Sequence, residues 1–248
     1  MSTGKKIMLF ILCIALITVG VISSIYVPRR MTYNDLKNKY SKSTTPKAYI
    51  IPTEKSTKAN SAKNRSEIKT SIYGLKFSTP WGNPTEIKTV DTLTSYKYSN
   101  NMLLTILDER TDLTLTETLR TLDPKALKNA RDFFDKNILI SKYKFYNALL
   151  NISPKEITTS LTKKQLESKD SLLCLKTLIM TKDTENIFKF NTNNLNIFQF
   201  GTTKPNAALV RLNVFGEDNI SYTIGLKGNN LTQDDIEKVI TSLELTTE

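Results

Sequence analysis

The chain has 248 residues, a net charge of +11, 24% charged residues and no histidine. The lack of histidine removes the commonest general base, the commonest zinc ligand and the side chain best suited to a pH switch. Of the two cysteines, Cys13 lies in an apolar run and Cys174 stands alone in the remainder, so no disulfide supports the C-terminal part and it must stand on its core.

The first feature along the chain is Ile7–Val27, twenty-one residues with no charge and no proline. At about 1.5 Å rise per residue such a helix matches the roughly 30 Å hydrocarbon core of a bilayer. Lys5 and Lys6 precede it, and Pro28, Arg29 and Arg30 follow. The run is longer than the apolar region of a signal peptide, about 7–15 residues, and lacks a clean small-residue exit. A retained single-span anchor is the expectation, with a cleaved secretory signal as the competing reading. Phe10-Ile11-Leu12 argues against lipidation of Cys13, because small residues are expected before a lipidated cysteine. Two orientation signals conflict. Arg29, Arg30, Lys37, Lys39 and Lys42 after the span outnumber the two lysines before it, which favours a cytoplasmic C-terminal part. A short basic head before an apolar run is the form of an export signal; export to the periplasmic or extracellular side is the expectation.

Residues 28–70 read as a basic flexible linker. Residues 1–70 hold 13 Lys/Arg and 3 Asp/Glu, and the remainder 22 and 21, so the basic excess lies beside the apolar run. There it meets anionic headgroups, at about 1 kcal/mol per Lys/Arg, and nucleic acid is not the expected partner. Thr53–Ser66 has too little apolar surface to offset ordering entropy. Tyr33, Leu36 and Tyr40 share a helical face, as a surface helix or an extension of the span, and Ala48–Ile51 is either a segment that docks on the domain or a scattered apolar cluster in a coil.

Residues 71–248 form the expected globular domain, long enough for a real core. Strands are expected at Ser71–Thr79, Thr85–Val90, Thr94–Tyr98 and Met102–Leu107, separated by Pro, Gly and Asn. Leu115, Leu119 and Leu122 then open a helical block, and Asp123-Pro124 reads as a helix start before Ala126–Ile138. Phe145, Tyr146, Leu149 and Leu150 keep helical spacing, Ser153–Glu156 reads as a capping box, and Ser171–Met180 as a buried helix. Ile187–Phe190 and Leu195–Phe200 flank an Asn-rich turn, Ala208–Phe215 and Ile220–Leu226 alternate, and a last helix starts at Thr232. The order predicts an α+β fold with a mainly antiparallel sheet packed by helices, behind an N-terminal single transmembrane helix and the basic linker.

Tyr73-Gly74-Leu75-Lys76-Phe77-Ser78-Thr79-Pro80-Trp81 and the closing Leu231–Leu245 resemble the two ends of PsbP/Mog1-like α+β domains. The resemblance covers about 25 residues, and the long helical middle departs from the pattern. It implies antiparallel sheet packed by helices and no catalytic residues.

Among site candidates, Thr79–Pro84 holds the only tryptophan. Trp81 between Pro80 and Pro84 is either a rigid partner-binding anchor or a ring tucked over the sheet edge. Ser160-Leu161-Thr162-Lys163 matches S-x-x-K, but no K-T-G or S-D-N supports it. Asp108, Glu109 and Asp112 could hold a hard cation but lack EF-hand spacing. Cys174 among leucines reads as a buried thiol. The reading assigns no catalytic residue, no metal and no cofactor. It expects a membrane-anchored, non-enzymatic interaction or assembly module. Its partners are the bilayer through residues 7–27, anionic headgroups through Arg29, Arg30, Lys37 and Lys39, and a protein the sequence does not identify. The alternatives are a secreted factor after signal cleavage and a tethered serine or carboxylate hydrolase.

Overall fold

In the computed structural model, the described backbone comprises residues 3–41, 46–56, 66–70, 74–109, 126–134, 141–204, 208–217 and 220–246; side chains are described there except at 3–20, 22, 66–70, 126, 127 and 130. Five helices are described: α1 Thr3–Ser41, α2 Ala126–Phe133, α3 Lys142–Asn151, α4 Lys163–Ile179 and α5 Gln233–Ser242. The strands are β1 Thr53–Glu54, β2 Ser66–Thr70, β3 Leu75–Thr79, β4 Glu86–Val90, β5 Leu93–Lys97, β6 Leu103–Asp108, β7 Phe188–Thr192, β8 Leu195–Thr202, β9 Leu209–Phe215, β10 Ser221–Lys227 and β11 Glu244–Leu245. This is α+β with a mostly antiparallel sheet packed by helices.

The large sheet runs β1-β7-β8-β9-β10-β6-β5-β4, and a small one runs β11-β3-β2. All pairings are antiparallel except β1 with β7. Period-two alternation makes the large sheet two-faced. One face carries Tyr96, Leu104, Ile106, Ile197, Leu212, Val214, Ile224 and Leu226 against Leu75 and Phe77 of β3 and Ile236, Val239 and Ile240 of α5. The other carries Phe198, Phe200 and Phe215 against Tyr143, Tyr146 and Leu150 of α3. Beyond α3 lies a helical cluster that joins Leu36 and Tyr40 of α1 to Phe145, Leu149, Leu166, Leu172 and Leu173.

Local signals explain much of this. The β7–β8 turn places Asn193 and Asn194 at φ 48° and 59°, as a tight two-residue hairpin requires. Thr232 and Asp235 form a reciprocal capping box at the start of α5, and Ser153 and Glu156 do the same before a short 3-10 turn. Ser242 then joins α5 to β3: its hydroxyl donates to the Ser78 carbonyl and accepts from the Ser78 N–H, both at 2.9 Å.

The linker expectation is corrected where the structure describes it; residues 42–45 and 57–65 of that segment lie outside the described residues. Residues 28–41 continue α1 through Pro28, with Leu36 and Tyr40 buried. Pro46–Tyr49 is a 3-10 turn with Ala48 fully buried. Thr53–Glu54 pairs with β7, and Ser66–Thr70 pairs with β3. A few apolar anchors and backbone hydrogen bonds, such as Thr53 N–H to the Ile187 carbonyl at 2.8 Å, supply what composition lacks. The folded unit therefore begins well before residue 71. The expected strand Ser71–Thr79 is observed from Leu75. The helical block at 115–122, Asp123-Pro124 and the helix end at 137–138 lie outside the described residues. Among the described residues no helix is long and apolar enough to cross a membrane; of the expected span, positions 7–20 and 22 lie outside the described side chains.

Candidate functional site

The most informative site is the root of α1, where the helix meets the helical layer. Tyr40 donates its hydroxyl to the Asp170 carboxylate of α4 at 2.7 Å, and Lys39 donates to the same oxygen at 2.5 Å. Burial opposes the Lys39 charge, but hydrogen bonding and attraction to Asp170 outweigh it and hold the ammonium above its ordinary value. Burial first, then the bond to Asp170, pushes the Tyr40 phenol far up, so it remains a neutral donor. Tyr49 donates to the Tyr40 carbonyl at 2.8 Å, satisfying an otherwise orphaned group in the last turn of α1. Lys39, expected to face headgroups, is paired with Asp170 and remains partly exposed. Lys37 stays exposed, with its ammonium 6.0 Å from the Tyr33 ring centroid.

Three turns nearer the N-terminus, Tyr26, Arg29, Arg30, Tyr33 and Asn34 line a cleft of about 270 Å³ that Thr159 closes from the loop before α4. Arg29 and Tyr33 are half-buried and Arg30 is exposed. Among the described residues neither arginine has an acidic partner, and no carboxylate lines the cleft. Nearby hydroxyls of Thr158 and Ser160 are joined at 2.7 Å.

A second polar cluster lies between α3 and the large sheet. Glu109 accepts from the Thr223 hydroxyl at 2.6 Å, and Lys142 donates to the Glu109 carbonyl and to the Ser221 hydroxyl, each at 3.0 Å. Tyr146 is pushed up to about 12 by burial first and the Glu109 carboxylate second, with Arg211 pulling the other way. Burial lowers Arg211, which donates to the Ile179 carbonyl and lies over the Phe200 ring. Ser221 has no exposed surface, so this Ser–Lys pair is closed to a substrate and ties α3 to the sheet.

The other candidates are dispersed. Trp81 is half-buried and packs edge-to-face on Tyr98 at 5.3 Å and against the main core cluster, with Pro80 and Pro84 half-buried on either side. Ser160 is exposed in a loop, Thr162 and not Ser160 caps α4, and Lys163 pairs with Glu167 at 3.7 Å. Asp108 and Glu109 are successive and point to opposite faces; Asp112 and Arg110 lie outside the described residues. No cluster of three or more metal-ligating side chains occurs among the described residues. Cys174 is half-buried instead of buried, 3.5 Å from the Lys39 ammonium, because it sits on the rim of the α1–α4 contact. Asp170 and Thr159 carry no sequence signal, since each acquires its role only from a helix more than a hundred residues away.

No protein family, curated protein or solved structure matches this chain.

Proposed function

We propose that this protein is a membrane-anchored, exported, non-enzymatic interaction or assembly module. The observation that carries this reading is the continuity of α1. One helix of 39 residues, about 58 Å long, contains the apolar run and ends inside the folded unit with Leu36 and Tyr40 buried. A flexible tether lets a domain search a volume, whereas a helix that enters the core sets its height and tilt at the bilayer. That geometry suits a domain presenting a surface to a neighbouring membrane protein. β4 supports the same reading: it is an edge strand, exposed throughout, with Ile87 and Val90 outward. Such an edge can accept an added strand from a partner.

Topology tests the proposal. Alkaline phosphatase and a fluorescent protein are fused separately to Glu248 in a bacterial host, and the cells are fractionated. Phosphatase activity retained in membranes is the expected result. Activity in the soluble fraction overturns the anchor, and fluorescence without phosphatase activity overturns export.

A further inference from the structure

We propose that the cleft of Tyr26, Arg29, Arg30, Tyr33, Asn34 and Thr159 binds the phosphate group of an anionic phospholipid; this rests on the anchored reading of α1. Three observations converge on it. The first is position: the cleft begins within two residues of the end of the apolar run Ile7–Val27, at the depth where headgroups lie.

The second is chemistry. The lining offers two guanidinium groups, two phenols, an amide and a hydroxyl, and no carboxylate. Arginine matches phosphate through paired N–H donors and is only weakly hydrated, so it loses less on entering a half-buried site than lysine does. Tyrosine is at home in the same interfacial zone.

The third is the missing counter-charge. Among the described residues, Lys39, Lys55, Lys164, Lys169, Lys189 and Lys204 are each matched to a carboxylate. Arg29 is half-buried and, like Arg30 beside it, has no carboxylate partner among the described residues. Thr159 makes the site more than a basic stretch of helix, because it comes from the loop before α4 and gives the cleft a second wall. Two wider clefts do not share this character: one at Glu54, Lys55 and Lys189 has its charges paired within the protein, and one at Asp183 and Lys227 carries both signs.

The full chain in detergent micelles is titrated with phosphatidylglycerol, with phosphatidylcholine and with inorganic phosphate, and bound adducts are counted by native mass spectrometry. One phosphatidylglycerol retained at about tenfold lower concentration than phosphatidylcholine is expected. Arg29→Gln with Arg30→Gln should abolish that preference, Thr159→Val should weaken it severalfold, and Lys144→Gln, at an exposed α3 position outside the cleft, should leave it intact. Retention that millimolar inorganic phosphate does not displace identifies the lipid as the source. Displacement by phosphate supports the same anion chemistry with a soluble phosphate ester as ligand. Equal retention of the two lipids, or an unaltered preference in the double arginine variant, overturns the site. Carbonate extraction of cell membranes separates this from the anchor: a chain that resists extraction but shows no lipid preference keeps the anchor and loses the site. A chain that extracts but still binds phosphate through Arg29 and Arg30 keeps the anion site and loses the anchor.

Discussion

Tyr40 donates its hydroxyl to the Asp170 carboxylate at 2.7 Å, across 130 residues of chain, and this bond fixes the end of α1 against α4. Lys39 reaches the same oxygen, and Tyr49 closes the helix end from the other side. Three polar contacts and the buried Leu36 thus convert the end of a long helix into part of the core, so force or tilt on α1 passes directly to α4.

Asp170→Asn tests the charge in that contact. The Lys39 ammonium is held above its ordinary value in the fold. Its contribution is therefore complete below the unfolded lysine value, about 10.4, and is lost only as pH rises through the still higher folded value. At pH 7 the wild type holds the whole contribution and the variant loses it. For a pair this exposed the expected cost is about 1 kcal/mol or less. Backbone hydrogen exchange over residues 31–41 should quicken by up to about fivefold, with exchange in β8 and β9 unchanged. Equal exchange in the two proteins would show that the charge does not hold α1.

Leu36→Ala tests the apolar part of the same contact. Truncating a buried leucine costs about 2–5 kcal/mol, depending on how far the site collapses. Leu36 sits at the edge of its cluster, so about 2–3 kcal/mol is expected, read as a lower urea midpoint for the full chain in detergent. Leu178→Ser, on an α4 side chain that is 76% exposed, should stay within about 0.5 kcal/mol of wild type.

The parts of the fold that sequence showed are those governed by neighbours in the chain. The Asn193-Asn194 turn, the Thr232–Asp235 and Ser153–Glu156 boxes, and the alternation in β8, β9 and β10 each depend on a few adjacent residues. What it hid depends on distant partners. Ser66–Thr70 has a linker's composition and becomes β2 only because β3 offers it a ladder. β1 is two residues long and pairs parallel with β7, more than 130 positions on. Lys142, Tyr146, Arg211 and Glu109 are scattered in sequence and meet only when α3 settles on the sheet. Proline at 28 reads as the end of a span, yet α1 continues through it to a far end held by buried Leu36 and Tyr40. At the α1 root the basic residues were legible and their division of labour was not: Lys39 faces Asp170, and Arg29 faces an open cleft.

Gly201→Ala should be among the most damaging single-methyl additions in the sheet. Gly201 sits at φ +107°, and a Cβ there would lie 2.1 Å from the Leu209 carbonyl oxygen. Neither can yield without breaking the β8–β9 ladder. Backbone strain of about 1–3 kcal/mol adds to that clash, so a loss of at least about 3 kcal/mol is expected. Gly82→Ala isolates the strain, since φ is +80° there but no atom lies within 4 Å of a new Cβ. It should cost about 1–2 kcal/mol. Both are read by urea unfolding, with the single tryptophan as probe.

Lys176 gives a pH signature. It is fully buried, and its ammonium donates to the Ile152 carbonyl at 2.6 Å and the Ala48 carbonyl at 3.3 Å. Burial lowers it from 10.5 to about 8, with Glu156 partly offsetting the effect. Between those two values the unfolded chain keeps the lysine proton and the folded protein releases it. Stability from this group therefore rises with pH across that window and is flat below it. Tyr40 and Tyr146 act in the opposite sense above their unfolded value, because their phenols stay protonated longer in the fold. Lys176→Met leaves those tyrosines in place, so subtracting its unfolding free energy from wild type cancels them. The difference should be level from pH 6 to 7.5 and then climb in favour of wild type to pH 10. A level difference throughout would mean that Lys176 keeps its proton in the fold, held by the two carbonyls that surround it.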